Sequence, residues 1–175
     1  MKFLSPIILF AGMLLLASCE SAPPERMGKL ICPQILIPKY TENLVKFAPD
    51  ALGTDITDID FEAGVGYLSG ECTINQNLIV MNFPVLVEAR KGAANVDNIA
   101  RTTLFAAVMN NRRERLTQIA LPYILQFRNN NPVASLSDPI TIEIPKRPNQ
   151  TGNDFVIYLG IELQPQEIAY NRNQQ

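Results

Sequence analysis

Apolar and polar residues alternate with a period of two along several stretches of the chain, a pattern typical of half-buried β-strands. Residues 57–67 show it first, and residues 78–90 and 116–128 show it over longer runs. The apolar positions predicted to share a face are Ile59, Phe61, Ala63, Val65 and Tyr67, then Ile79, Met81, Phe83, Val85 and Val87, then Ile119, Leu121, Tyr123, Leu125 and Phe127. Each run predicts one strand with a face directed into a core.

Shorter segments complete the predicted order of elements. Further strands are expected at residues 29–38, 71–74, 102–109, 140–144 and 155–163. Residues 40–47 carry apolar side chains at helical spacing, which predicts a turn or two of helix, and residues 129–138 predict a loop. Pro165 is expected at the first position of a short helical tail that reaches Tyr170.

Asparagine and proline punctuate this pattern. Residues 75–77 and 110–114 predict tight turns, and the asparagine pair in the second turn tolerates left-handed backbone. Pro84 and Pro122 fall inside strand patterns, which predicts edge positions or bulges because proline cannot donate to a ladder.

Seven or eight short strands with almost no amphipathic helix predict an all-β fold. We expect a single antiparallel β-sandwich, immunoglobulin-like or fibronectin type III-like, with a short C-terminal helical tail. This domain is expected to cover residues 29–175. A parallel α/β fold is excluded because crossover helices are missing from the pattern.

The first residues do not belong to this domain. Residues 1–18 contain one basic residue, Lys2, and then an apolar run of about fifteen residues, which predicts a signal peptide and not a spanning helix. The run ends in Leu-Ala-Ser followed by Cys19, which resembles the lipobox of bacterial lipoproteins. That resemblance implies cleavage before Cys19, acyl chains on its thiol, and a mature protein attached to a membrane.

Residues 19–28 are polar and rich in proline, which predicts an extended, lipidated tether. Glu20 follows the cysteine, and in the best-known sorting system an aspartate at that position retains a lipoprotein in the inner membrane. We therefore expect an outer-membrane lipid anchor with the domain in the periplasm.

The amino-acid composition excludes several classes of catalytic and metal site. The chain contains no histidine, which excludes Ser-His-Asp and Cys-His nucleophiles and histidine-ligated zinc, copper or haem. The formal net charge is −2 without a basic stripe, which argues against nucleic acid as a partner. No cofactor, metal site or catalytic residue is predicted.

Two cysteines remain besides Cys19. In an oxidising envelope compartment, Cys32 and Cys72 predict one structural disulfide. The alternative is a two-thiolate metal or redox site, for which the C-x-x-C spacing is missing.

Several segments resemble a family of small alphaproteobacterial lipoproteins without an established activity. They are residues 57–63, residues 70–72, Cys32 with the proline after it, and the C-terminal segments 154–163 and 166–172. The resemblance covers most of residues 30–172, while the asparagine-rich stretches near 110, 130 and 150 depart from it. It implies the fold and the envelope location, and no activity.

Acidic residues offer one candidate for chemistry. Asp58, Asp60 and Glu62 alternate along one strand face, about 7 Å apart in successive pairs. With Asp55 they could perform acid–base catalysis on cell-wall glycan or bind calcium. A solvent-exposed outer strand face explains the same residues more simply.

Two further groups are candidates for a partner surface. The first group lies on the reverse face of its predicted strand and consists of Leu78, Val80 and Leu86. These side chains would form an exposed apolar patch, unless residues 40–47 or the C-terminal tail with Ile168 and Tyr170 cover them. The second group surrounds a predicted hairpin tip and consists of Arg112, Arg113 and Arg115. These arginines could bind lipid phosphates or an acidic partner. Alternatively, they only keep the turn in solvent.

The sequence therefore predicts a lipid-anchored envelope module that binds an unidentified envelope protein and has no catalytic activity. The alternatives are a carboxylate-based glycan hydrolase and a carrier whose sandwich holds a lipophilic ligand.

Overall fold

The computed structural model describes residues 31–49, 51, 55–128 and 130–174. The predicted leader, Cys19 and the tether lie outside these residues. The described chain forms nine strands and one helix, named in chain order β1 (Gln34–Leu36), β2 (Asn43–Phe47), β3 (Ile59–Tyr67), β4 (Glu71–Ile74), β5 (Leu78–Lys91), β6 (Ile99–Asn110), β7 (Arg115–Gln126), β8 (Val133–Pro145), β9 (Phe155–Ile161) and α1 (Pro165–Asn173). Single 3-10 turns precede β3 and β9.

The strands form two sheets that pack face to face. Sheet 1 has the order β1-β9-β6-β7, and sheet 2 places β2, β3, β5 and β8 side by side. The short strand β4 continues the line of β3, since β3 pairs with the second half of β5 and β4 with the first half. The pairs are antiparallel apart from β1 with β9. The predicted all-β sandwich with a short C-terminal helix is confirmed.

The position of the last strand differs from that in an immunoglobulin constant domain. In an immunoglobulin constant domain the last strand, G, lies beside strand F, which precedes it. Here β9 lies between β1 and β6, while β8 forms the edge of sheet 2 beyond β5. The chain therefore changes sheet at both of its last two strand connections.

The core lies between the two sheets and contains the residues that the alternation predicted. The inward residues of β5 are all buried, namely Ile79, Met81, Phe83, Val85 and Val87. Tyr123, Leu125 and Phe127 of β7 are also buried, while Ile119 and Leu121 pack against the core from a partly buried position. In β3, Phe61 and Ala63 are buried, whereas Tyr67 remains exposed near its end. The period of two identified the inner faces correctly.

The helix predicted at residues 40–47 is wrong. This segment contains β2, which pairs antiparallel with β3 and directs Leu44 into the core. The register shifts between Lys46 and Phe47, which marks a bulge. The apolar residues Leu44 and Phe47 are therefore three positions apart in this strand. That spacing imitates a helical turn although the backbone is extended.

The loop predicted at residues 129–138 is also wrong from residue 133 onwards. Strand β8 begins at Val133 and pairs with β5 along its whole length. Its first half includes Ser135, Ser137 and Pro139, all exposed at the sheet edge. Edge strands tolerate such residues because one side of the strand needs no ladder partner.

The two prolines occupy positions where an amide hydrogen is not needed. Pro122 lies in the edge strand β7, opposite Thr103, whose carbonyl turns away to accept from Glu162 N at 2.8 Å. Pro84 lies in the central strand β5, so an edge position is wrong for it. Its carbonyl accepts from Leu68 N at 3.0 Å, which places its nitrogen toward the gap between β3 and β4. The missing donor coincides with the interruption in the neighbouring strand.

The sandwich has two ends, which carry different loops. The proximal end, where the described chain begins, consists of residues 31–33, 75–77, 111–114 and 146–154. The distal end consists of the described residues within 48–58, 92–98 and 127–132. Residues at the proximal end contact each other across the two sheets, as described below.

Candidate functional site

The four predicted carboxylates have separate structural roles. Asp55 accepts hydrogen bonds from Thr57 N at 2.9 Å and Thr57 Oγ1 at 2.8 Å, and these bonds lower the pKa of Asp55. Asp58 belongs to the 3-10 turn that follows. Asp60 accepts from Asn95 Nδ2 at 2.8 Å and fixes the loop before β6, whereas Glu62 is exposed on the outer strand face. These contacts explain Asp55 as a cap and Asp60 as a loop anchor.

Among the described residues, no three acidic or cysteine side chains lie together so that they could hold a metal ion. Helix α1 has nine residues, and no helix in the described part of the chain could span a bilayer.

The predicted disulfide is confirmed. Cys32 and Cys72 are bonded, with their Cα atoms 5.8 Å apart. Cys32 lies just before β1 of sheet 1, and Cys72 lies in β4 of sheet 2. The bond therefore joins the two sheets at the proximal end, and it removes both thiols from metal or redox chemistry.

The first predicted partner surface lies on the outer face of sheet 2. Leu78 and Val80 are half-buried there, and Leu86 is 38% exposed. The tail considered as a cover packs elsewhere, because Tyr170 of α1 meets the ring of Phe47 in β2 at 5.3 Å between centroids. Polar residues interrupt the three, since Asn82 and Glu88 share the same face of β5.

A more continuous apolar surface lies on the outer face of sheet 1. We call it the apolar face and define it by Leu36, Phe105, Met109, Val156 and Tyr158. Strand register places Tyr158 between Leu36 and Ala107, and places Val156 beside Met109. Phe105 lies over Gly160, where an added Cβ would be 2.9 Å from the ring. A shallow depression beside Phe105 is bordered by Arg113 and Arg115.

Two sequence signals could have located the apolar face. Residues 104–109 read Leu-Phe-Ala-Ala-Val-Met, and residues 155–161 read Phe-Val-Ile-Tyr-Leu-Gly-Ile. Both runs are apolar at every position, which indicates strands with two apolar faces instead of one. The sequence pattern predicted strands at residues 102–109 and 155–163 without assigning their faces.

The second predicted group, Arg112, Arg113 and Arg115, lies at the β6–β7 turn of the proximal end. The turn is held by Asn110, whose Oδ1 accepts from Arg112 N at 2.9 Å and from Glu114 N at 3.0 Å. The left-handed residue is Arg113, with φ of 62°, and not one of the two asparagines as predicted. All three arginines are exposed.

A cleft beside the end of β9 also contains charged residues. Lys46 Nζ and Glu167 Oε1 form a 2.8 Å ion pair there, which joins α1 to β2. Tyr123 also lines the cleft and donates to Asp138 Oδ2 at 3.2 Å. Burial, together with the nearby charge of Asp138, raises the pKa of Tyr123 to about 12. The main charged groups of this cleft thus neutralise each other.

Comparisons with known proteins add little to this geometry. No protein-family model matches the chain, and no curated protein matches it. A solved structure, the variable domain of the AgI/II polypeptide BspA of Streptococcus agalactiae, is similar at 10% identity over 74% of this chain and 77% of that one. Its TM-score is 0.22, which supports no conclusion about this chain.

Proposed function

We propose that the chain is a lipid-anchored binding module of the bacterial envelope without catalytic activity. The lipobox-like residues before Cys19 support the anchor, and Glu20 supports delivery to the outer membrane with the domain in the periplasm. The Cys32–Cys72 disulfide is consistent with this location, because such bonds persist in oxidising compartments.

The observation that carries the binding role is the apolar face. An outer sheet face that combines Phe105, Met109 and Tyr158 with neighbouring arginines has the composition of a protein-binding patch, where aromatic residues, methionine and arginine are enriched. Its occupant is an envelope protein that presents a complementary apolar surface to Phe105, Met109 and Tyr158.

A pair of charge substitutions tests this proposal. In cells treated with a short crosslinker, the wild-type chain should give a product of defined mass, and Phe105→Asp should abolish it. Thr141→Asp is the matched control, because Thr141 is exposed on the outer face of sheet 2. Absence of any wild-type product, or a product that survives Phe105→Asp, would overturn the proposal.

The two alternative functions rest on weaker observations. A glycan hydrolase would need paired carboxylates facing one space, whereas Asp55 and Asp60 each hold a local turn or loop. A lipid carrier would need room between the sheets, where Phe83, Leu104 and Ile144 are completely buried among other core side chains. We therefore place both after the binding module.

A further inference from the structure

The proximal end is where the described chain leads back toward Cys19. Ile31 is held there by Gly152, whose position would bring an added Cβ to 1.8 Å from Ile31 O. The following residue, Cys32, is bonded to Cys72 of the opposite sheet. The first described residue is thus attached firmly to the end of the sandwich and not to its side.

The same end carries five cationic residues. Arg112 and Arg113 lie in the β6–β7 turn, Arg115 is the first residue of β7, and Lys146 and Arg147 follow β8. The four arginines are exposed and Lys146 is half-buried. Asn111 Nδ2 donates to Asp154 Oδ1 at 3.0 Å, which holds the β6–β7 turn and the segment after β8 together.

None of these five cations is paired with a carboxylate of a described residue, although Arg115 donates to Gln118 Oε1 and Lys146 donates to Gln76 O. Among the described residues the ion pairs are Lys46–Glu167 and Arg101–Asp97, both away from this end. The two local acids are engaged with amides, since Glu114 accepts from Asn110 Nδ2 at 2.7 Å and Asp154 accepts from Asn111. The proximal end therefore carries a positive excess that is open to solvent.

The distal end carries charges of both signs. Its acidic residues are Asp55, Asp58 and Asp97, and its exposed cation is Arg128. Hydrogen bonds from Thr57 to Asp55, and from Arg101 and Ile99 to Asp97, lower the pKa of both carboxyls and keep them ionised at neutral pH. The proximal end, with Arg112, Arg113, Arg115, Lys146 and Arg147, is therefore the more basic of the two ends.

We propose that the proximal end binds the phosphate groups of anionic lipids in the membrane that holds Cys19, so that the domain stands with its basic end on the bilayer. This rests on the proposed lipid anchor. The twelve positions from Cys19 to Ile31 reach at most about 43 Å, and unscreened attraction extends only about 8 Å at physiological ionic strength. The anchor brings the cations to the surface, and the cations orient the domain there.

Lipid phosphate fits this surface better than an acidic protein. The cations come from two connections and the start of β7, and Arg112, Lys146 and Arg147 line a depression that opens to solvent. Arginine and lysine can bind the phosphate groups of an anionic membrane surface without shape complementarity. The position of Ile31 at the same end makes the bilayer the surface that these cations meet first.

Arginine reactivity in reconstituted vesicles tests the proposal with the full acylated protein. Vesicles of phosphatidylcholine are compared with vesicles of equal parts phosphatidylcholine and phosphatidylglycerol, and phenylglyoxal modification is followed by peptide mass spectrometry. Arg112, Arg113, Arg115 and Arg147 should react about fivefold more slowly on the anionic vesicles. Arg90 and Arg128, exposed elsewhere, are controls in the same molecule and should keep their rates.

A charge-reversal variant and a high-salt condition sharpen the result. Arg112→Glu combined with Arg147→Glu should remove the protection of Arg113 and Arg115, whereas Arg90→Glu combined with Arg128→Glu should preserve it. High salt should also abolish it. Thermal unfolding midpoints verify that each variant is folded.

The failures of the two proposals are distinguishable. Flotation with both vesicle types but equal arginine rates would overturn the phosphate site and leave the anchor intact. Failure to float with either type would overturn the anchor and the orientation with it. Protection in isolated envelopes but in neither vesicle type would assign the basic end to a protein and overturn the lipid proposal.

Discussion

The two ends of the sandwich are built from similar loops but are held together differently. At the proximal end, a disulfide between Cys32 and Cys72 and a close backbone approach at Gly152 fix the chain. At the distal end, individual polar contacts such as Asn95 to Asp60 organise the loops. The end at which the described chain begins is thus joined covalently, whereas the described loops of the distal end are held by noncovalent contacts.

The largest expected effect comes from breaking the covalent link of the proximal end. Replacing both cysteines, Cys32→Ser with Cys72→Ser, should lower the free energy of unfolding by about 4 kcal/mol, because a separation of 40 residues closes a long loop in the unfolded chain. Urea unfolding of the variant and the wild type measures this. A loss below about 1 kcal/mol would mean that the end is held mainly by packing.

The second effect concerns the close approach at the same end. Gly152→Ala should destabilise the protein by about 2 kcal/mol, since the new Cβ must displace the backbone at Ile31. Gly66→Ala is the matched control, because nothing lies within 4 Å of its added Cβ. Thermal unfolding of both variants compares them, and equal midpoints would show that the backbone accommodates the methyl group.

A smaller effect is expected from the contact between Tyr123 and Asp138, which joins the edge strands of the two sheets in the distal half. Tyr123→Phe should cost about 1 kcal/mol at neutral pH through the lost hydrogen bond. The pKa of Tyr123 is raised to about 12 in the folded state, so the unfolded chain loses its phenolic proton first as the pH rises.

The direction of the pH dependence of stability follows from the raised pKa of Tyr123. The stabilisation by Tyr123 is complete below pH 10.0, the ordinary pKa, and is lost as the pH rises through about 12. Wild type should therefore lose stability more steeply than Tyr123→Phe in that interval, as measured by urea midpoints. Parallel curves would remove Tyr123 from the account of alkaline unfolding.

The smallest effect is expected for the ion pair of Lys46 with Glu167. Lys46→Gln should destabilise by about 0.5 kcal/mol, and the difference should shrink in high salt, because the Lys46 side chain is 44% exposed. Arg101→Gln, at the more exposed ion pair with Asp97, is the control. An effect of Lys46→Gln above about 2 kcal/mol would show that α1 depends on this contact.

Alternation located the core because each strand has one face in the interior and one in solvent. It predicted the inner residues of β5 and β7 correctly, and composition predicted the disulfide. It failed at β2, where a bulge between Lys46 and Phe47 breaks the period, and at the start of β8, where an edge strand carries serine and proline. The local sequence pattern predicts neither the bulge in β2 nor the start of β8, because both depend on pairing with a strand that is distant in the sequence.

The functional surfaces were harder to predict than the core. Arg112 and Arg113 were recognised as a hairpin tip, but only the fold places Lys146, Arg147 and Ile31 at the same end. Likewise the apolar face needs the register of β1, β9 and β6 to bring Leu36, Tyr158 and Phe105 together. Neither arrangement follows from spacing along the chain.

The central claim is that the proximal end faces the bilayer because the chain is acylated at Cys19. Mass spectrometry of the N-terminal peptide from protein isolated from its native membrane tests this most directly. The account predicts a peptide that begins at Cys19 and carries acyl chains on that residue. A peptide that retains residues 1–18, or one with an unmodified Cys19 thiol, would contradict it.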